Sequence, residues 1–256
     1  MSGHNKWSKV KNRKGAVDAK RSKVWTKIIR EITMAAKLGG EDPNGNARLR
    51  KALDDGRLAN IPKDTIQRAM SRASTDTGGA DYEELTYDGY GPAGVAILVE
   101  CLTDNRNRTI GDVRSAFNKN GGNLGSSGSV SFMFKKKGQF VFDKSPEEGK
   151  APSEDALLEI GLEHDIEDVI NDGDSFVVLC APEGFHALRE LFVKAGYVPS
   201  RAELAQIPDS TVHIAGDHAK TLLKLIDILE DLDDVQNVWS NFEIDESEME
   251  SLMATA

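Results

Sequence analysis

The chain has 256 residues, 39% apolar and 29% charged, with a formal net charge of −10 and a pI near 5.1. That balance supplies a folded core and excludes disorder throughout. Apolar runs such as 94–99 and 175–181 are of strand length and no charged-then-apolar leader opens the chain, so neither a bilayer span nor a secretory signal is expected.

Residues 1–17 lack an apolar period and read as a basic arm in which Lys6, Lys9, Lys11, Arg13 and Lys14 surround Trp7. The Trp7 indole is expected to anchor the arm to the protein's own surface, with stacking on an exposed base as the alternative. A helix should start at Asp18, a good N-cap, and stop at Gly39-Gly40. At about 100° per residue, Val24, Trp25, Ile28, Ile29, Ile32, Ala35 and Ala36 share one face and Lys20, Lys23, Lys27, Arg30 and Lys37 the opposite one. A second helix is expected over 45–59, with Leu49 and Leu53 inward and Arg48, Arg50, Lys51 and Arg57 around them. A third begins at Pro62 and turns Ile66, Ala69, Met70 and Ala73 inward, giving a three-helix bundle that a Gly78-Gly79 linker closes.

Strands and helices alternate from there on. The expected order is a strand at 94–102, a helix capped by Thr109, a glycine-rich loop, and strands at 129–134 and 139–142. A helix at 153–161 follows, then strands at 166–171 and 175–180, a helix at 182–196 and a strand at 198–202. The last elements are a strand near 204–214, a helix at 217–229, a strand at 235–242 and a frayed end. The fold class is therefore α+β in three domains: arm and helical bundle over 1–80, a discontinuous α+β domain over 81–136 and 204–256, and an inserted domain over 137–203 in β-α-β-β-α-β, ferredoxin-like order.

Charge is distributed unevenly. Residues 1–75 hold 18 Lys and Arg against 7 Asp and Glu, a net of +11, which leaves −21 for the remainder. A polyanion responds to that local field and not to the sum, so the arm and first helix are the leading candidates for phosphate contact. Asn105-Arg106-Asn107-Arg108, after a buried strand, offers a second contact through Arg106 and Arg108. The loop GGNLGSSGS (121–129) could form an anion nest, but a strand follows it and the Lys-Ser/Thr ending of a P-loop is missing, so it reads as a mobile loop that touches a partner. KKKGQFVF (135–142) shares a basic-glycine-aromatic pattern with RNA-recognition strands, although Gln139 stands where a stacking aromatic belongs, and a lysine-bounded strand edge accounts for it equally well.

His213 and His218 have no Cys partner and do not suggest zinc, and Cys101 and Cys180 lie in apolar strands as small buried hydrophobes. Asp227, Glu230, Asp231, Asp233 and Asp234 read as a solvated helix end that repels nucleic acid. No nucleophile elbow, metal motif or positioned general base appears, so a hydrolase built on the glycine loop is disfavoured and no catalytic residue, metal or cofactor is expected.

Five segments together carry a family resemblance: GHNKWSKVKNRKGAVDAKRSKVWTKI, DPNGNARLRKALDDGRLANIPKD, YDGYGPAGVAILVE, TDNRNRT and GGNLGSSGSVSFMF. In this order along nearly the whole chain they resemble the YebC family. The resemblance implies an amino-terminal helical bundle, two α+β domains with one inserted in the other, a cytoplasmic bacterial protein and no cofactor. It also implies a regulator that binds DNA and controls transcription or, alternatively, a translation factor that grips ribosomal RNA, as mitochondrial relatives activate translation. Gly56 stands where relatives carry a small alanine.

Overall fold

A computed structural model describes residues 18–74, 82–146, 148–161 and 166–254; the arm with Lys6, Trp7, Lys9, Lys11, Arg13 and Lys14 lies outside the described residues. The chain divides into two compact units, one over Phe132–Thr211 and the other comprising the described residues before it and from Val212 onward.

In the discontinuous unit, α1 (Asp18–Gly39), α2 (Ala47–Leu58) and α3 (Lys63–Ser74) pack around Ile32, Ala35, Ala36, Leu49, Ala52, Leu53 and Ala69. All but Ala52 belong to the expected inward stripes, whereas Val24, placed on the same face by its spacing, is exposed. Gly40 ends α1 at φ 83°, a left-handed value that glycine adopts without cost. Asn46 then joins the first two helices: its Oδ1 accepts from Leu49 N (3.0 Å) as an N-cap while its Nδ2 donates to Ala35 O (2.7 Å) and Gly40 O (2.8 Å). Trp25 is half-buried, and its indole donates to Ala59 O at 2.9 Å.

The same unit holds a sheet of order β3-β1-β2-β9, built from β1 (Glu83–Tyr90), β2 (Ala96–Thr103), β3 (Asn123–Leu124) and β9 (Val235–Ser240). Neighbours in it are antiparallel. α4 (Arg106–Lys119) and α7 (Gly216–Glu230) supply Val113, Phe117, Leu222 and Ile226 to a core with Ile97, Val99 and Val238. Two short parallel strands, β8 (Val212–His213) and β10 (Phe242–Glu243), and α8 (Glu246–Ala254) complete it. The expected fraying at the end is corrected here: Met249 of α8 is 3% exposed and joins the core. β1 went unpredicted because charged and polar residues interrupt its apolar positions.

The other unit runs β4 (Phe134–Asp143), α5 (Glu154–Gly161), β5 (Ile166–Asp172), β6 (Ser175–Cys180), α6 (Phe185–Ala195) and β7 (Arg201–Pro208). Its antiparallel order, β5-β6-β4-β7, places first and third strands centrally as a ferredoxin-like sheet requires. Phe140 and Phe142 alternate onto the helix-covered face, with ring centroids 4.9 Å from Phe185 and 4.9 Å from Phe192 respectively. The expected strands at 129–134 and 139–142 are corrected to one strand and a preceding turn, since β4 pairs with β7 from Phe134 to Val141. For the same reason this unit extends beyond the expected 137–203 at both ends. Both cysteines are buried and free, and burial pushes the thiols of Cys101 and Cys180 up to about 12 and about 11.

Close approach explains one glycine of the sheet. A Cβ on Gly89 would stand 2.5 Å from Cε1 and Cζ of Phe117, a ring that is 0% exposed and has no room to retreat. Gly89→Ala is expected to lose about 1–3 kcal/mol of stability by overpacking, read as a lowered urea midpoint at unchanged slope.

Candidate nucleic-acid interface

The amphipathic pattern puts five lysines or arginines of α1 away from the bundle core. The structure directs three of them at one turn of the α+β domain, where α7 ends and β9 begins. Lys23 Nζ donates to Asp231 O (3.0 Å), Lys27 Nζ to Glu230 O (2.6 Å), and Arg30 Nη1 to Asp233 O (2.6 Å) and Asp234 Oδ1 (2.7 Å). The last turn of α7 has no basic residue of its own. Its carbonyls carry the negative end of the helix dipole, and cations from α1, more than 200 positions earlier, supply the capping.

Asp234 is the centre of this contact. It is 5% exposed, and Arg108 grips it from the start of α4, Nε to Oδ2 at 3.1 Å and Nη2 to Oδ1 at 3.0 Å, while Thr109 Oγ1 donates to Oδ2 at 2.8 Å. Burial alone would push its carboxyl up; the Thr109 hydroxyl, the Arg108 guanidinium and the charge of Arg30 outweigh it and hold the group below the ordinary carboxylate value. Arg108 also pairs with Asp104 at 2.8 Å. The expected helix cap is corrected: Asn105 is the N-cap, accepting from Arg108 N at 3.1 Å, which frees the Thr109 side chain for Asp234.

The candidate cations thus separate into groups. Lys23, Lys27, Arg30 and Arg108 converge on residues 230–234, where the carboxylate of Asp234 and the main-chain carbonyls of Glu230, Asp231 and Asp233, acids read from sequence as part of a solvated, repelling end, are the acceptors. Arg48 joins Glu31 (2.6 and 2.9 Å) and Glu84, and Arg50 donates to Pro43 O (3.1 Å) and Asn44 O (3.0 Å). Arg106 is exposed on α4. Lys20 begins α1, but its side chain lies outside the described residues. Along α3, Lys63, Arg68 and Arg72 are exposed, and none has a hydrogen bond or ion pair to a described residue.

The glycine-rich loop is fastened, contrary to the mobile loop expected. Leu124 and Asn123 pair with Gly89 and Tyr90 of β1, and Tyr90 Oη donates to Ser129 O at 2.9 Å. Buried Asp88 accepts from Val130 N (3.2 Å) and Ser131 N (3.4 Å), and its own carbonyl accepts from Gly125 N (2.8 Å). An anion nest needs these N–H groups unoccupied. The lysines of β4 lie on its one-sided stretch, where Lys135, Lys136 and Lys137 pair with β7 alone and β6 joins only from Gly138, as a lysine-bounded strand edge requires; Lys135 meets Asp209 at 2.8 Å and Lys137 meets Glu167 at 2.6 Å. Phe140 and Phe142, at 0% and 2% exposure, offer no stacking surface for RNA. His213 contacts Asp245 at 3.4 Å.

Read from sequence, Asp234 and Thr109 take other roles, a solvated helix end and a helix cap, and Glu31 is not singled out. The available signal was complementarity between a basic first quarter and an acidic remainder, which identifies a pair of partners only once the fold brings them together. Asp234→Asn is expected to destabilise the protein by about 1–3 kcal/mol, because Arg30 and Arg108 would lose their carboxylate while keeping water and their other partners. The pH dependence has a definite sign. With the folded-state value below the unfolded value of about 3.9, the contribution of Asp234 is complete at neutral pH and fades as pH falls through the folded value. Chemical denaturation from pH 7 downward should therefore show the gap between parent and variant narrowing.

Among the described residues no helix is long and apolar enough to cross a membrane. A family model described as "TACO1/YebC protein N-terminal domain" matches residues 5–76, and one described as "TACO1/YebC second and third domain" matches residues 82–242. A Geobacter sulfurreducens protein named a "Probable transcriptional regulatory protein" is 52% identical over 253 residues, covering 99% of this chain and 100% of its own. An Acidithiobacillus ferrooxidans protein of the same name is 49% identical over 256 residues, covering 100% of both. The crystal structure of a conserved hypothetical protein from Aquifex aeolicus is similar with a TM-score of 0.79 and 42% identity, over 90% of this chain and 93% of that one. With both models and full-length relatives in agreement, the chain belongs to the TACO1/YebC family.

Proposed function

We propose that this protein is a cytoplasmic, non-enzymatic transcriptional regulator that binds DNA through its basic amino-terminal region. The observation that carries this reading is the separation of charge, +11 over residues 1–75 against −21 over the rest, which draws phosphates to one part of the chain. The regulatory role comes from the relatives, which are named as transcriptional regulatory proteins over their full length. Lys6, Lys9, Lys11, Arg13 and Lys14 are the arm's phosphate contacts, with Trp7 fixing the arm; Lys20 extends this set into α1. The α1 cations that cap α7 hold the bundle in place and bear on DNA only indirectly.

Binding of the full-length protein to duplex DNA should weaken steeply with salt, by about 10³–10⁵ between 50 and 200 mM if 6–10 phosphates are contacted. Replacing the five arm cations with Gln should flatten that dependence, and an unchanged slope would remove the arm from the interface. Crosslinking in cells with sequencing of the recovered nucleic acid identifies the target. Promoter fragments support transcriptional control, whereas ribosomal RNA without them replaces it with a role on the ribosome.

A further inference from the structure

We propose that the outward face of α3, bearing Lys63, Gln67, Arg68, Ser71 and Arg72, is a second DNA-binding element, one that lies against the backbone and groove of duplex DNA. This rests on the reading that the protein binds nucleic acid, and it assigns part of that binding to a helix outside the arm and α1.

Most described cations of the bundle are already committed. A phosphate approaching Lys27 or Arg30 would have to displace the carbonyls that end α7, and taking Arg30 would strip a partner from the buried Asp234 carboxylate. Arg48 is held between two glutamates. These cations already have carboxylate or carbonyl acceptors, so the gain from meeting another is small. The α3 cations differ: Lys63, Arg68 and Arg72 are exposed and make no ion pair with a described residue. On α3 itself the one acid is Asp64, in the first turn, where the helix dipole already favours a negative charge.

Spacing along α3 points to the same partner. Ile66, Ala69 and Met70 turn toward the bundle core, which leaves Lys63, Gln67 and Ser71 on one outward stripe and Arg68 and Arg72 on the next. Arginines one turn apart can reach successive phosphates, and the Gln67 amide between cations is a group that bonds to base edges, while the Ser71 hydroxyl donates to Gln67 O at 3.0 Å. No aromatic residue occurs on α3, and the indole of Trp25 is tied to Ala59 O, so the described bundle has no exposed aromatic platform on which single-stranded bases could stack. A 12-residue helix, about 18 Å long, enters the wide major groove of B-form DNA but not the deep, narrow one of A-form RNA. Duplex DNA is therefore the partner that this face fits.

The test uses full-length protein and a 20-base-pair duplex DNA of arbitrary sequence, with fluorescence anisotropy followed over a salt series. R68A/R72A should lower the magnitude of the log–log salt slope by about 1.8, near 0.9 for each phosphate that is no longer neutralised. R68K/R72K, which keeps the charge, should retain the parental slope, and this rescue separates the removal of charge from a disturbed fold. A parental slope in R68A/R72A would overturn the α3 assignment and leave nucleic-acid binding by the arm intact. Equal or tighter binding of the parent protein to duplex RNA or single-stranded DNA would overturn the choice of duplex DNA. If the parent protein bound none of the three, the functional reading itself would fail and α3 with it.

Discussion

A carboxylate taken out of water must be given cations and hydrogen-bond donors in place of its hydration, and Asp234 imposes that requirement on three distant parts of the chain. Arg30 comes from the first helix, Arg108 and Thr109 from the helix after β2, and the acid itself from the turn into β9. No one of these residues is unusual by itself. Together they fix the angle at which α1 meets the end of α7, and the carbonyls of that end then fall within reach of Lys23 and Lys27. The basic helix thereby serves as counter-ion to an acidic helix terminus that lacks a cation of its own.

Apolar packing contributes less to this junction than to either partner. The bundle core around Ile32, Leu49 and Ala69 shares no residue with the core around Ile97, Phe117 and Leu222. What joins them includes Arg48 to Glu84 and Arg30 set 5.8 Å over the Tyr82 ring, in addition to the contacts at residues 230–234. Exposed members of such a set are individually weak and are screened by salt. Asp234, 5% exposed, is screened much less, so the junction has one firm ionic centre within a more labile periphery.

Periodicity made the three helices and most strands legible, because apolar residues at 3.6 and 2.0 spacing leave few alternatives. It failed where other chemistry intervened. Lys135–Gly138 interrupts the apolar pattern of β4 and suggests two strands in place of one, whereas cross-strand pairing with β7 holds it continuous. Thr109 looked like the cap because hydroxyls suit that place, but Asn105 suits it too and stands one turn earlier. Glycines at 121–128 suggested mobility, and the constraint comes from Asp88, which no glycine pattern reveals. The candidate site was legible to the same extent. Composition identified cations in excess, but which of them face a carboxylate is a tertiary fact, set between residues such as Arg30 and Asp234 that lie 204 positions apart.

The acidic remainder of the chain consequently does more than oppose the basic part. It sorts the cations: those on the inner side of α1 are neutralised by acids and carbonyls within hydrogen-bond distance, and those on α3 keep their field. With charges screened over about 8 Å at physiological salt, a polyanion approaching the outer side of α3 experiences its arginines far more strongly than the protein's net charge of −10. A chain with a pI near 5.1 can in this way present a cationic surface of definite orientation, because some of the carboxylates that lower its pI, Asp234 and Glu84 among them, also hold the basic bundle in place.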